Sequence, residues 1–327
     1  MSVMELSHRG PEFGGILHDA EHDLRDLLRV PDNYRVIFCQ EGASGHWNMI
    51  PLNLLQGKNN ADYVETGYWS YRAIEEGRRY CNVNIAASNR IDNFCALPEF
   101  SDWQLNPQAA YVHYCSNETI DGLEFNWVPD TGNVPLVVDM SSHFLSRTIE
   151  ISRFGLIYAG AQKNIGPAGL SIVIVRDDLL KPPAPGTPFL MDYQGQAHAH
   201  SMLNTPPTFT IWVAGLVFKW IKRQGGLSAM EAHNVRKSDL LYGYLDQSSF
   251  YRNRVKPGDR SRMNVPFHLK EPSLDEVFLK DADAHGLTQL RGHRVAGGMR
   301  ASIYNAMPCE GVDALVAFMK DFERRHG

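Results

Sequence analysis

The 327-residue chain has little of several things, and each shortage closes off a class of function. It carries no excess of positive charge: a formal net charge of -5 argues against a general nucleic-acid binder, which needs a basic balance or stripe. Its five cysteines, Cys39, Cys81, Cys95, Cys115 and Cys309, are odd in number, widely spaced and without a CxxC pair. That pattern speaks against a disulfide framework and suits reduced, buried thiols in a cytosol. No apolar run is long enough to span a bilayer, and the N-terminus lacks the charged-then-apolar order of a signal peptide, so the expected location is the cytoplasm. Internal repeats, heptads and metal-ligand spacings are absent, and no GxGxxG or P-loop appears, which disfavours a dinucleotide-dependent oxidoreductase on a Rossmann-like sheet. What remains is an ordinary globular composition, 43% hydrophobic and 21% charged, long enough to bury a sizeable core in two domains.

The stretch 155–175, GLIYAGAQKNIGPAGLSIVIV, places one lysine between two strand-like runs. Residues 156–159 and 170–175 are rich in branched side chains and bounded by glycines, which predicts buried strands joined by a hairpin-like turn. Lys163 lies between Gln162 and Asn164 and among Gly160, Gly166 and Gly169, where the backbone can approach a ligand and an ammonium is partly desolvated. Desolvation makes an amine a usable nucleophile toward a carbonyl. Taken alone, the stretch fits a surface lysine on a turn equally well.

Five further apolar runs, at 35–39, from Tyr63-Val64 toward Gly67, and at 83–86, 109–115 and 134–140, bring the candidate strands to seven. Helical patterns at 12–29, 47–55, 70–80 and 211–222 separate or follow them. Strands spaced by helices predict an α/β fold with a mostly parallel sheet covered on both faces and ligands at the strands' carboxyl ends. The residues there are the ones to inspect. Gln40-Glu41-Gly42-Ala43-Ser44-Gly45-His46 follows a strand and precedes a helix, as a phosphate cradle does. Trp69 can stack on a planar ligand, with core packing the default for the residue type. Asn117-Glu118-Thr119 supplies a hydroxyl. Asp139, ending the run VPLVVD, needs a partner if buried. Ser7-His8-Arg9-Gly10 fits either an anion site or a solvated pair. Within 181–208 the prolines and Gly186 make a loop and Asn204-Thr205-Pro206-Pro207-Thr208 begins the next helix, and Gly225-Gly226 reads as the hinge between a large cofactor-binding domain, residues 1–224, and a small α+β domain, residues 225–327. In the latter, helices at 228–245, 274–285 and 311–325 accompany a strand at 263–269. The loop GHRVAGGMRAS, with His293, Arg294 and Arg300, fits a carboxylate or phosphate clamp or a solvated basic loop.

HYCSNETIDG (113–122), VVDMSSHFLSR (137–147), IYAGAQKNIGPAG (157–169), SMLNTPPT (201–208), SRMNVPF (261–267) and GHRVAGGMRASIYNAM (292–307), in that order, resemble the phosphoserine aminotransferase family of class-V, fold type I enzymes. The resemblance covers nearly the whole chain. It implies a homodimer that uses pyridoxal 5'-phosphate to exchange an amino group between glutamate and 3-phosphohydroxypyruvate in serine biosynthesis, with a related role in vitamin B6 biosynthesis in some bacteria. It also implies roles. Lys163 would carry the cofactor covalently, Asp139 would hydrogen-bond its ring nitrogen, Trp69 would stack on the ring and Thr119 would bond near its phenolic oxygen. Ala43, Ser44 and Gln162 would hold the phosphate, with Asn204 and Thr205 reaching it from the other subunit. Arg300 would grip the substrate α-carboxylate, with His8, Arg9, His293 and Arg294 around the substrate's phosphate or distal carboxylate. The chain departs from the family in three ways. It starts after an N-terminal segment found in family members, Glu41 stands where glycine is usual, and His46-Trp47 replaces a Gln-Phe pair. A solvated carboxylate beside a phosphate repels it by about 1 kcal/mol. The alternative expectation is therefore a truncated or catalytically weak homologue that keeps the fold and binds anions or a partner.

Overall fold

The computed structural model describes residues 2–327. Helix α1 (Pro11–Leu28) starts at a proline, whose missing N–H costs nothing in the first turn, and buries Phe13, Leu17, Ala20, Leu24 and Leu28 along one stripe. The large sheet holds β1 (Tyr34–Cys39), β2 (Asn60–Glu65), β3 (Asn82–Ser88) and β4 (Val112–Cys115). After a two-stranded ribbon, β5 (Asn117–Glu118) with β6 (Leu123–Glu124), come β7 (Leu136–Asp139), β8 (Leu156–Gly160) and β9 (Ser171–Arg176). Their order across the sheet is β1-β9-β8-β7-β4-β2-β3. These are the seven runs expected from the sequence. Only β9 runs against the others, because the turn carrying Lys163 is too short for a crossover and returns the chain as a hairpin.

Alternation along each strand assigns its side chains to two layers. Val36, Phe38, Tyr114, Val138, Ile157, Ile172 and Ile174 face the core that includes α1. Ile37, Cys39, Tyr63, Tyr111, Val137, Tyr158 and Val173 face the other, against α2 (His46–Leu54), α3 (Tyr68–Gly77) and α4 (Tyr193–His198). Helix α4 falls inside the stretch expected to be loop; Asp192 caps it by accepting the Gln194 N–H at 2.9 Å, a signal too local to outweigh the surrounding prolines. Helix α5 (Thr208–Arg223) packs beside α1.

Gly225, in the left-handed region at φ 97°, turns the chain into α6 (Gly226–Gln247). This helix starts in the first core, with Leu227 and Met230, and ends in a second, with Leu241, Tyr242 and Leu245. The second core also contains β10 (Tyr251–Arg252), β11 (Asn264–Leu269), α7 (Asp275–Ala284), β12 (Met299–Ser302) and α8 (Cys309–His326), with the strands antiparallel in the order β10-β11-β12. Strand β12 corrects the loop expected over 292–302: Arg300 sits opposite Pro266 of β11. Four residues reading MRAS form a strand only because β11 offers an edge, a tertiary effect that local propensity does not carry. No helix among the described residues is long and apolar enough to cross a membrane.

Candidate active site

Strands β4, β7 and β8 end, and helices α2 and α3 begin, around one cavity of about 300 Å³. Ala43, Ser44, Trp69, Thr119, Asp139, Gln162, Lys163, His293 and Arg300 all line it. Lys163 follows β8 on a tight turn in which its N–H donates to the Ala161 carbonyl at 2.7 Å, and its Nζ donates to Thr119 Oγ1 at 3.0 Å. Asp139, the last residue of β7, is 7% exposed, and its Oδ1 accepts the Ser141 N–H at 2.8 Å. Trp69 is not at the end of a strand, as its position in the sequence suggested, but in the first turn of α3, with its ring 6.3 Å from that of Trp47.

Two donors are left over. Trp69 Nε1 and Arg300 Nε are buried without a partner, while Arg300 Nη1 reaches only the Thr119 carbonyl, at 3.4 Å. An unmatched guanidinium N–H in a cavity costs stability unless a ligand accepts from it, and carboxylate is the acceptor its fork geometry fits. At the cavity's other end, the Ala43–Gly45 turn leads directly into α2, so backbone N–H groups and the helix dipole face the same space. Gly160 keeps that end open: a Cβ there would stand 3.4 Å from Ala43 Cβ and 2.8 Å from Gln162 Oε1. An amine, a carboxyl, aromatic walls and an anion cradle are thus the groups a phosphorylated, planar aldehyde cofactor requires.

Glu41 does not line this cavity. Its carboxyl packs against Gly45, leaving no room for a Cβ there, and lies 3.3 Å from His46 Nε2 without the alignment of a hydrogen bond. It borders a second cavity, of about 420 Å³, on the other side of the loop. Burial pushes Glu41 up to about 7 and His46 down to about 3. Near neutrality the carboxyl is partly protonated and the imidazole neutral, so the phosphate repulsion expected from Glu41 is reduced both by position and by charge. Cys39, Glu41 and His46 bring possible ligand atoms within 4.8 Å of one another, a grouping no sequence spacing announces. Both ring nitrogens of His46 are taken, Nδ1 by Tyr193 Oη at 2.8 Å and Nε2 by Ser171 Oγ at 2.7 Å, which makes this a hydrogen-bonded core group with no free imidazole nitrogen for a metal.

The remaining expected site residues are not at the Lys163 cavity of their own chain. Asn204 and Thr205 border the second cavity, beside Glu41. Arg294 is exposed although its neighbour His293 enters the site. His8 and Arg9 lie near the surface before α1, where Arg9 Nε donates to His8 Nε2 at 3.3 Å. Sequence reasoning missed Trp47, Ser141, Ser142 and Tyr304 as lining residues. The serines sit directly past β7, where the carboxyl-end rule could have found them. Tyr304 was not accessible that way, since it depends on β12. Asn117, also on the wall, donates to Ser142 Oγ at 2.6 Å and Asn264 Oδ1 at 3.0 Å, and Asn264 donates to Tyr304 Oη at 3.1 Å, tying the small domain to the large one beside the site.

A profile of the family described as aminotransferase class-V matches residues 2–315. The chain is 57% identical over 334 residues to the phosphoserine aminotransferase of Nitrosomonas europaea, covering 100% of this chain and 91% of the relative. To that of Pseudomonas putida it is 57% identical over 327 residues, with the same shares covered. The solved phosphoserine aminotransferase from Bacillus circulans subsp. alkalophilus matches with a TM-score of 0.98 at 44% identity over 100% of this chain and 91% of that one. A PLP-bound phosphoserine aminotransferase from Trichomonas vaginalis matches at 0.94 and 44%, over 98% and 91%.

Proposed function

Because this chain belongs to the class-V aminotransferase family, we propose that it is a pyridoxal-5'-phosphate-dependent transaminase that converts glutamate and 3-phosphohydroxypyruvate to 2-oxoglutarate and O-phosphoserine in serine biosynthesis. The observation that carries the reading is the juxtaposition, in one cavity, of the Lys163 amine, the Asp139 carboxyl, an anion cradle and an unpartnered Arg300 donor. When bound, the cofactor supplies a carbonyl for amine exchange and a ring that accepts the charge released at substrate Cα. Lys163 would hold the cofactor and, once its amine is free, would carry the proton from substrate Cα to the cofactor's aldehyde-derived carbon, with Thr119 Oγ1 keeping its Nζ in reach. Asp139 would hold a proton at the ring nitrogen, and Trp69 would stack on the ring. Ala43, Ser44 and Gln162 hold the phosphate at the start of α2. Arg300 orients the substrate α-carboxylate by paired N–H donation, with His293 beside it.

The same proposal places Asn204 and Thr205 at the phosphate of a second copy, in a cytoplasmic homodimer, and keeps His8, Arg9 and Arg294 around the substrate's distal anionic group. It includes a division at Gly225 into cofactor and small domains and a related reaction in vitamin B6 biosynthesis. The catalytically weak homologue is not favoured, since the chain is 57% identical to relatives named phosphoserine aminotransferase over alignments that cover all of it. Borohydride reduction of the loaded protein followed by peptide mapping tests the reading: a pyridoxyl adduct on Lys163, together with glutamate-dependent turnover, is expected. A colourless, inactive protein, or an adduct on another lysine, refutes it.

A further inference from the structure

Helix α3 begins against two carboxyl groups that the reaction itself does not use. Glu118 Oε2 accepts the Trp69 N–H at 3.0 Å and its Oε1 accepts that of Ser70 at 2.8 Å, while Asp121 Oδ2 accepts that of Tyr68 at 3.0 Å. The first-turn N–H groups of a helix have no partner within it, and here three consecutive ones are taken by carboxyl oxygens from the β5–β6 ribbon. Ser70 Oγ accepts two more, from Thr66 at 2.9 Å and Gly67 at 3.0 Å. Both carboxyls press on Gly67: a Cβ there would stand 2.5 Å from Asp121 Oδ2 and 2.6 Å from Glu118 Cδ.

The ribbon reaches both sides of the site. Thr119, next to Glu118, receives the Lys163 amine, so one short segment fixes the distance between that amine and the Trp69 wall. Glu118 is 1% exposed, and burial followed by repulsion from Asp121 raises its proton affinity well above the usual carboxylate range; burial raises that of Asp121 as well. Two carboxyls kept together at this cost, where a single serine or aspartate would cap a helix, indicate a demand on the position of α3 beyond its folding.

We infer that Glu118 and Asp121 are positioning residues for the proposed reaction, holding the first turn of α3 so that the Trp69 ring stands as a wall of the Lys163 cavity and acting on cofactor binding through that ring. The inference rests on the reading of the cavity as a pyridoxal-phosphate site.

Apo-protein titrated with pyridoxal 5'-phosphate tests it, with binding read from visible absorbance and ring orientation from visible circular dichroism. Glu118→Gln keeps the volume but turns an NH2 toward one backbone N–H. It is expected to weaken binding about fivefold and to reduce the dichroic signal per bound cofactor. In a Trp69→Leu background the same substitution is expected to change affinity less than twofold. Gly67→Ala, whose Cβ displaces both carboxyls while its extended backbone suits alanine, is expected to show the same dependence on Trp69 and serves if Glu118→Gln does not fold. Losses that multiply independently of Trp69, or no loss in either variant, overturn the inference. If the unmodified protein binds no cofactor at Lys163, the proposed function fails instead, and the two failures are distinguishable.

Discussion

Replacing Glu41 by glutamine isolates the energetic cost of the carboxyl buried behind the Ala43–Gly45 turn. Its Oε1 is buried without a hydrogen-bond partner, and the side chain is 22% exposed. Burial lifts its proton affinity from the ordinary 4.5 to about 7, so between those values the folded protein keeps a proton that the unfolded chain has released. Folding stability from this group is therefore fully present below pH 4.5 and is lost as the pH rises through 7. At about 1.4 kcal/mol per tenfold change in proton affinity the gap corresponds to about 3 kcal/mol, and partial hydration trims the expected effect to about 2 kcal/mol. Glu41→Gln is neutral at every pH and fills the same space. Urea unfolding of the apo-protein and the variant at pH 5, 6, 7 and 8 should show a stability difference that is small at pH 5 and grows to about 2 kcal/mol in favour of the variant at pH 8. Other titrating groups, Glu118 among them, are common to both proteins and cancel in the difference. A difference that stays flat across this range would refute the argument that the carboxyl is desolvated.

Lys163→Ala removes the amine in the cavity and should lower turnover by about 10²–10⁴-fold, with loss of the lysine-bound visible band; a retained band would reassign the attachment point. Arg300→Lys keeps the charge but not the paired donors, so the KM for glutamate should rise about tenfold with a smaller change in kcat, read from steady-state kinetics. Gly160→Ala pushes a Cβ toward Ala43 and Gln162, and titration should show weaker binding of pyridoxal 5'-phosphate with little change for pyridoxal, which lacks the phosphate.

Which parts of this site could be read from the sequence follows from the range of the interactions that form them. The seven sheet strands were legible because strands covered on both faces are buried along nearly their whole length and read as short apolar runs, and once their order was taken as mostly parallel, their carboxyl ends pointed to Trp69, Thr119, Asp139 and Lys163 together. Arg300 was legible as a cation but not as a strand residue, since β12 exists by pairing with β11. The state of Glu41 was not legible at all. A glutamate between a strand and a glycine loop looks solvated, and only the folded packing of its carboxyl against Gly45 and beside His46 raises its proton affinity.

Asn204, Thr205, His8 and Arg9 pose a different case, because their motifs are as local as that of Lys163 yet the single chain leaves them away from its cavity. If a second copy brings Asn204 to the phosphate, then Asn204→Asp sets a carboxylate against a phosphate dianion across the subunit boundary. Two unit charges about 4 Å apart at a partly hydrated interface repel by about 1–4 kcal/mol, so affinity for the cofactor should fall about tenfold or more. The decisive measurement mixes this variant with a Lys163→Ala chain that cannot hold the cofactor covalently. A mixed dimer has one site that combines an intact Lys163 with an intact Asn204 from the other chain, so at a cofactor concentration too low to fill the weakened site activity should rise on mixing in proportion to the heterodimer formed. If each chain supplied its own Asn204, the Lys163→Ala chain would have no amine and the other would keep its weakened cofactor site, and mixing would restore nothing.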